Sequence, residues 1–145
     1  MIGRRLMVIA SEDIGMAYPS AVSIVTSCVQ AALMVGYPEA VINLSQAVIL
    51  LASAPKSNAA YMAYEKALAD IRKKKIDDVP LHLKDAHYQG AKKMGIGKDY
   101  KYPHAYGGYV QQQYLPDALV GTNYYEYGPN KLEQAAKAYW DAIKK

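Results

Sequence analysis

Few side chains in this sequence are spaced for chemistry. Glu12 and Asp13 are adjacent acids of a kind that could bind a metal or share an acid/base step. Neighbours on a helix point in different directions and no third ligand is close in sequence, so helix-end caps and partners for Arg4 or Arg5 are the favoured reading. Lys56-Ser57 resembles the end of a phosphate-binding loop but lacks the glycines that let backbone approach phosphate. Gly90 and Gly95 have the spacing of such a loop, yet Ile96 and Gly97 stand where Lys and Ser/Thr are required. His82, His87 and His104 have no HxxxH or CxxC companions, which makes a zinc site a poor reading. No G-x-S-x-G turn is present. Cys28 falls in an apolar helical stripe, where a thiol acts as a small hydrophobe and is not activated. No set of nucleophile, base and orienting group emerges, so a stand-alone enzyme is disfavoured and no catalytic, cofactor or metal-binding residue is assigned.

The remaining chemistry is polyanion binding. From Arg72 to Lys101 there are nine basic and four acidic residues, and eight of the 14 tyrosines lie between Tyr100 and Tyr127. Lysines Lys73, Lys74, Lys92 and Lys93 with neighbouring tyrosines could hold phosphates and stack bases of a single strand. A solvated helix face, cations at a helix C-terminus and rings that fasten an irregular arm to a helical body explain the same residues, and are favoured.

The elements that must position these groups are helices. Pro38 to Ala54, PEAVINLSQAVILLASA, starts with Pro at a first helical position and Glu39 near the positive end of the dipole. Val41, Leu44, Val48 and Leu51 follow the 3.6-residue period, and Ile42, Ile49 and Leu50 extend the apolar surface around the flanks. A helix this apolar is expected to be buried by several neighbours, as the central strut of the core, and it is too short and interrupted to span a membrane. Ile2 to about Ala10 reads as a short amphipathic helix. A second helix opens at Tyr18-Pro19, places Ala21, Ile24, Val25, Cys28 and Ala32 on one face and ends at Gly36. A third segment, Pro55, Lys56, Ser57 and Asn58, breaks the central helix, with Ser57 a good N-cap for the next one, whose stripe is Tyr61, Tyr64, Leu68 and Ile71. Leu81 to Met94 reads as one or two short helices. Residues 98–128 read as an irregular, tyrosine-rich arm, and 130–144 as a terminal amphipathic helix with Leu132, Tyr139, Trp140 and Ile143.

The 145 residues are 52% hydrophobic and 21% charged, with mean hydropathy of −0.14 and a net charge of +4. This suits one globular domain with a real core, the compact helical part running over about 2–95. One cysteine permits no internal disulfide, and without a signal peptide or long apolar segment the chain reads as intracellular. It enters helical pattern at once, so it either begins abruptly or is an excised piece of a longer chain.

Four stretches carry a family resemblance in order: RRLMVIASEDIG (Arg4 to Gly15), LSQAVILLASAPKSNAAYMAY (Leu44 to Tyr64), VPLHLKDA (Val79 to Ala86) and YPHAYGGYVQQQYLPD (Tyr102 to Asp117), followed by Tyr124-Tyr125. They resemble the C-terminal region of the AAA+ ATPases called replication-associated recombination protein A, RarA or MgsA, relatives of the eukaryotic Werner-helicase-interacting protein. The resemblance implies an all-α domain, similar to the clamp-loader C-terminal collar, that assembles a homotetramer. It implies a parent that is a DNA-dependent ATPase acting in replication, recombination and repair at stalled forks, with single-stranded DNA-binding protein as a partner. It also implies a cytoplasmic, nucleoid-associated location. ATP and Mg would belong to the ATPase core, since neither Walker motif occurs in this sequence and the fragment is not expected to hydrolyse ATP. Pro55, Lys56, Ser57 and Asn58 are family-motif residues with an expected structural role. Val41, Leu44, Val48 and Leu51 are candidates for the assembly surface or the core. A single-stranded nucleic-acid-binding module using the lysine and tyrosine surface is the alternative.

Overall fold

The computed structural model describes residues 1–87 and 90–144, with the side chain of Lys92 outside the description. Every regular element among them is helical: α1 (Ile2–Ile9), α2 (Ala21–Val35), α3 (Ala40–Ser53), α4 (Ala59–Lys73) and α5 (Lys131–Ile143), with one π-helical turn and several short 3-10 turns in the connections. Contacts divide the chain into two compact units. Unit 1 joins Met1–Lys66 with Tyr124–Tyr139, and unit 2 joins Ala67–Asn123 with Trp140–Lys145.

Unit 1 holds the main core. Ala21, Val25, Cys28, Val29 and Ala32 make a buried face on α2, which packs most extensively against α3. A connection of only Gly36 to Glu39 folds the two into an αα-hairpin, and Gly36 stops α2 with φ of 73°. Leu6, Ala10 and Ile14 supply the third wall, so small residues lie where α1, α2 and α3 approach closely. The expected burial of α3 by several neighbours does not occur within one chain. Only Ala40, Ala47 and Leu51 are buried on it. It packs on α2 and α1, one side of the hairpin, and the opposite side faces outward.

After α1 the chain makes a single π-type turn, Ala10–Ile14, in which Glu12 pairs with Arg5 at 3.9 Å. The Arg5 partner is the one the sequence favours for these acids, and both lie within a helical turn rather than at a helix end. Gly15 then takes φ of 47° and ψ of −129°, and a Cβ there would lie 2.7 Å from the carbonyl oxygen of Ser57. The Ser57 N–H donates to the Asp13 carbonyl at 2.8 Å, which locks the α3–α4 connection onto the end of the π turn.

The stripe expected on α4 is not buried: Tyr61, Tyr64 and Ile71 are exposed, and no described residue of α4 is fully enclosed. On α5 the expected stripe is divided: Leu132 and Tyr139 are exposed, Trp140 and Ile143 are half-buried, and Glu133 is the only buried residue. Unit 2 has fewer regular elements. Among its described residues Ala91, Ile96, Val110 and Leu119 are the buried side chains, and turns Leu81–Leu83, Ala91–Met94, Pro103–Tyr106 and Asp117–Leu119 provide most of the order. Gln112 braces the arm by accepting from the Lys101 N–H at 3.1 Å and donating to the Lys101 carbonyl at 2.8 Å.

Gly15→Ala is expected to lower stability by about 1–3 kcal/mol from backbone strain alone, with more from displacing the Ser57 carbonyl. Thermal unfolding followed by circular dichroism checks it; an unchanged Tm would show that this crossing is not tight.

Candidate functional site

Between Asp13 and Lys56 the sequence has one charged residue, Glu39. The hairpin made from this run nevertheless presents large apolar side chains to water. Leu33, Met34, Val35 and Tyr37 project near the end of α2, and Val41, Ile42, Val48 and Ile49 project from α3, with Ile42 and Ile49 at 69% and 66% exposure. Scattered exposed apolar residues are ordinary, but a concentration of them without charge marks a contact surface. The four positions picked out by period divide accordingly. Leu51 is 5% exposed and Leu44 packs against the core, whereas Val41 and Val48 are about half exposed. The more prominent Ile42 and Ile49 were visible in the sequence as a seven-residue spacing in an uncharged helix.

A second assembly surrounds the Pro55 to Asn58 connection. Lys56 Nζ donates to the carbonyls of Ala54 at 2.5 Å and Ala52 at 3.4 Å, placing a cation at the C-terminal end of α3. Ser57 is buried; its hydroxyl accepts from the Ala59 N–H at 3.3 Å at the start of α4 and hydrogen-bonds to Glu133. Glu133 is 2% exposed. Its carboxylate accepts from the Tyr125 hydroxyl at 2.5 Å, from the Gly128 N–H at 3.1 Å and from the Asn130 side-chain amide. The Glu133 N–H in turn donates to Asn130 Oδ1 at 3.0 Å, a reciprocal cap at the start of α5. Burial pushes the carboxyl up, but the hydrogen bonds from Tyr125, Ser57, Gly128 and Asn130 outweigh it and hold Glu133 below the usual carboxylate range. Burial, followed by the neighbouring carboxylate, raises the Tyr125 phenol. Gly128 is required by space, since a Cβ there would lie 2.7 Å from Glu133 Oε2. Glu133 was not picked out from sequence; the Asn-x-x-Glu capping pattern at Asn130 was its signal. Beside this network an open cavity of about 710 Å³ is lined in part by Asp13, Lys56, Asn58, Lys66, Tyr124 and Glu126, and the Lys66–Glu126 ion pair forms part of its wall.

The lysines proposed for DNA are placed as follows. Lys73 ends α4 and is exposed; Lys74 follows it and pairs with Asp70 at 3.1 Å. Lys93 is exposed on the Ala91–Met94 turn, and the side chain of Lys92 lies outside the described residues. Tyr100, Tyr102, Tyr106 and Tyr114 are all exposed in the same unit. Tyr109 instead meets Trp140 edge to face at 6.1 Å, with Lys144 Nζ 5.5 Å from the Trp140 ring centroid. Unit 1 has six Lys+Arg and six Asp+Glu, while unit 2 has eleven and seven, so the chain's entire +4 resides in unit 2. No three metal-ligating side chains converge, and no helix is long and apolar enough to cross a membrane, among the described residues.

Because the folded Glu133 carboxyl titrates below its unfolded value, its stabilisation is complete above the ordinary glutamate pKa of about 4.3 and is lost as pH falls through the folded value. Glu133→Gln is expected to cost about 1–3 kcal/mol at neutral pH, through poorly satisfied buried donors, and to flatten the decline of Tm with acid. Thermal melts of both proteins from pH 7 to pH 3 check this; parallel curves would remove Glu133 from the acid response.

Residues 1–144 match the family model described as MgsA AAA+ ATPase C terminal. The chain is 55% identical over 99% of its length to Replication-associated recombination protein A of Bacillus subtilis, of which it covers 35%. It is 50% identical to an AAA domain-containing protein of Mycobacterium tuberculosis, with 86% of this chain and 28% of that protein covered. It is 40% identical to Replication-associated recombination protein A of Escherichia coli, again with 86% and 28% covered. The chain thus spans about a third or less of each of these relatives. The long motifs, the helical architecture and the match over nearly the whole sequence together show that the chain belongs to the MgsA AAA+ ATPase C-terminal family.

Proposed function

We propose that this chain is the self-assembly domain of an AAA+ ATPase, a clamp-loader-like collar that holds four copies of the motor together. The observation that carries this reading is the uncharged, apolar outer face of the α2–α3 hairpin. Burying a large aliphatic side chain is worth about 1.5–3 kcal/mol, so several such residues on one face supply a strong drive for association. The parent would bind ATP and Mg in its core and act on DNA in replication, recombination and repair at stalled forks, with single-stranded DNA-binding protein as a partner, in the cytoplasm at the nucleoid. Collecting cores through a collar raises their effective concentration and lets one subunit's arginine reach a neighbour's bound phosphate.

A second reading, contact with single-stranded nucleic acid, rests on the concentration of the whole charge excess in unit 2 beside four exposed tyrosines. It is compatible with assembly through unit 1, which is electrically balanced.

Light scattering coupled to size-exclusion chromatography is expected to give a mass near four chains. Ile49→Asp, at an exposed position, is expected to lower that mass with unchanged helix content. Concentration-independent monomers of the unaltered chain would overturn the collar reading. For the second reading, Lys73→Glu with Lys93→Glu should weaken binding of a labelled single strand and flatten its salt dependence. Absence of binding by the unaltered chain at low salt would dismiss it.

A further inference from the structure

The outer face of α3 has a finer pattern than general hydrophobicity. Ile42, Ser45, Ile49 and Ala52 are spaced by three, four and three residues, the a and d positions of a heptad, and all four are exposed. The buried Ala40, Ala47 and Leu51 lie on the opposite side of the helix. Val41 and Val48 border the seam along one edge, and Gln46 and Ser53 along the other. Large and small residues alternate along it, and Ala40 to Ala54 contains no charge.

We infer that α3 pairs antiparallel with α3 of a second copy across a two-fold axis, each residue lying opposite the one whose number completes a sum of 94. This deepens, and rests on, the self-assembly reading. In that register Ile42 meets Ala52 and Ser45 meets Ile49, and the two-fold repeats each meeting. Each isoleucine enters the space above a small residue, so the helices approach to about 8 Å and the seam fills. A parallel in-register pair would set isoleucine on isoleucine and serine on serine, leaving gaps at the small layers.

Charge independently favours a second copy in this orientation. Glu39 is the only charged residue of the hairpin and lies at the N-terminal end of α3, while Lys56 sits against the C-terminal carbonyls of the same helix. The register brings Glu39 opposite position 55, next to Lys56 of the second copy, twice per seam. A parallel pair would instead bring the two Glu39 carboxylates together.

Cysteine crosslinking in a Cys28→Ala background tests the register. The double variant Ile42→Cys/Ala52→Cys is expected to form a covalent dimer under mild oxidation, because 42 faces 52 across the seam. Each single cysteine variant is expected to stay at single-chain mass on a non-reducing gel, since like positions are offset by about 15 Å along the axis. Dimerisation of the Ile42→Cys single variant would overturn the antiparallel arrangement. No crosslink in the double variant, with light scattering still showing an assembled chain, would place the seam elsewhere and leave the self-assembly reading intact. A monomeric unaltered chain would overturn both. Charge reversal checks the pairing without cysteines: Glu39→Lys or Lys56→Glu alone should weaken association on the order of 10-fold, and the two together should restore it. Loss by both single variants without restoration would count against the Glu39–Lys56 pairing.

Discussion

A carboxylate withdrawn from water is costly unless every oxygen is answered, and Glu133 is answered by a phenol, a serine hydroxyl, a side-chain amide and a backbone N–H. These donors come from two stretches of sequence far apart, Ser57 in the α3–α4 connection and Tyr125 to Asn130 before α5. The same Ser57 is tied through its backbone N–H to Asp13 at the end of the π turn. One polar centre therefore joins the beginning, the middle and the end of the chain in unit 1. α5 fully buries no apolar side chain among its described residues, and Glu133 with the cap it shares with Asn130 ties the start of the helix into that centre.

That anchoring leaves the α2–α3 hairpin with a different problem. Its inner face is filled by alanines, valines and Leu51, and the small residues let the helices pack closely. Its outer face holds isoleucines and valines with no charged side chain to keep it solvated. A helix apolar on all sides has two ways to satisfy its surface, more protein from its own chain or protein from another. Within unit 1 that face stays open, with Ile42 and Ile49 at 69% and 66% exposure.

The two units also differ electrostatically. Unit 1 carries balanced charge, and the chain's positive excess lies in unit 2. In the arm Gln112, which braces Lys101, also donates to the Tyr114 hydroxyl at 3.1 Å, so that exposed ring sits on a braced backbone.

Residue spacing is enough to read the helices. Period placed α2 and α3, Gly36 and Pro55 separated them from their neighbours, and the long motifs carried the family. Period also put Cys28 in an apolar stripe, and that residue is buried on α2. What it did not determine is which apolar residues are inside. Period places Val41, Leu44, Val48 and Leu51 on related faces, yet Leu51 is enclosed and Val48 is open, because the number of neighbours a helix acquires is a property of the packed chain. Tertiary structure alone decided that no residue of the α4 and α5 stripes is fully buried. It alone decided that Ser57, Tyr125 and Glu133 meet, since a hydrogen-bonded cluster drawn from distant segments leaves no periodic trace and only its local cap, Asn130 with Glu133, is written in consecutive residues.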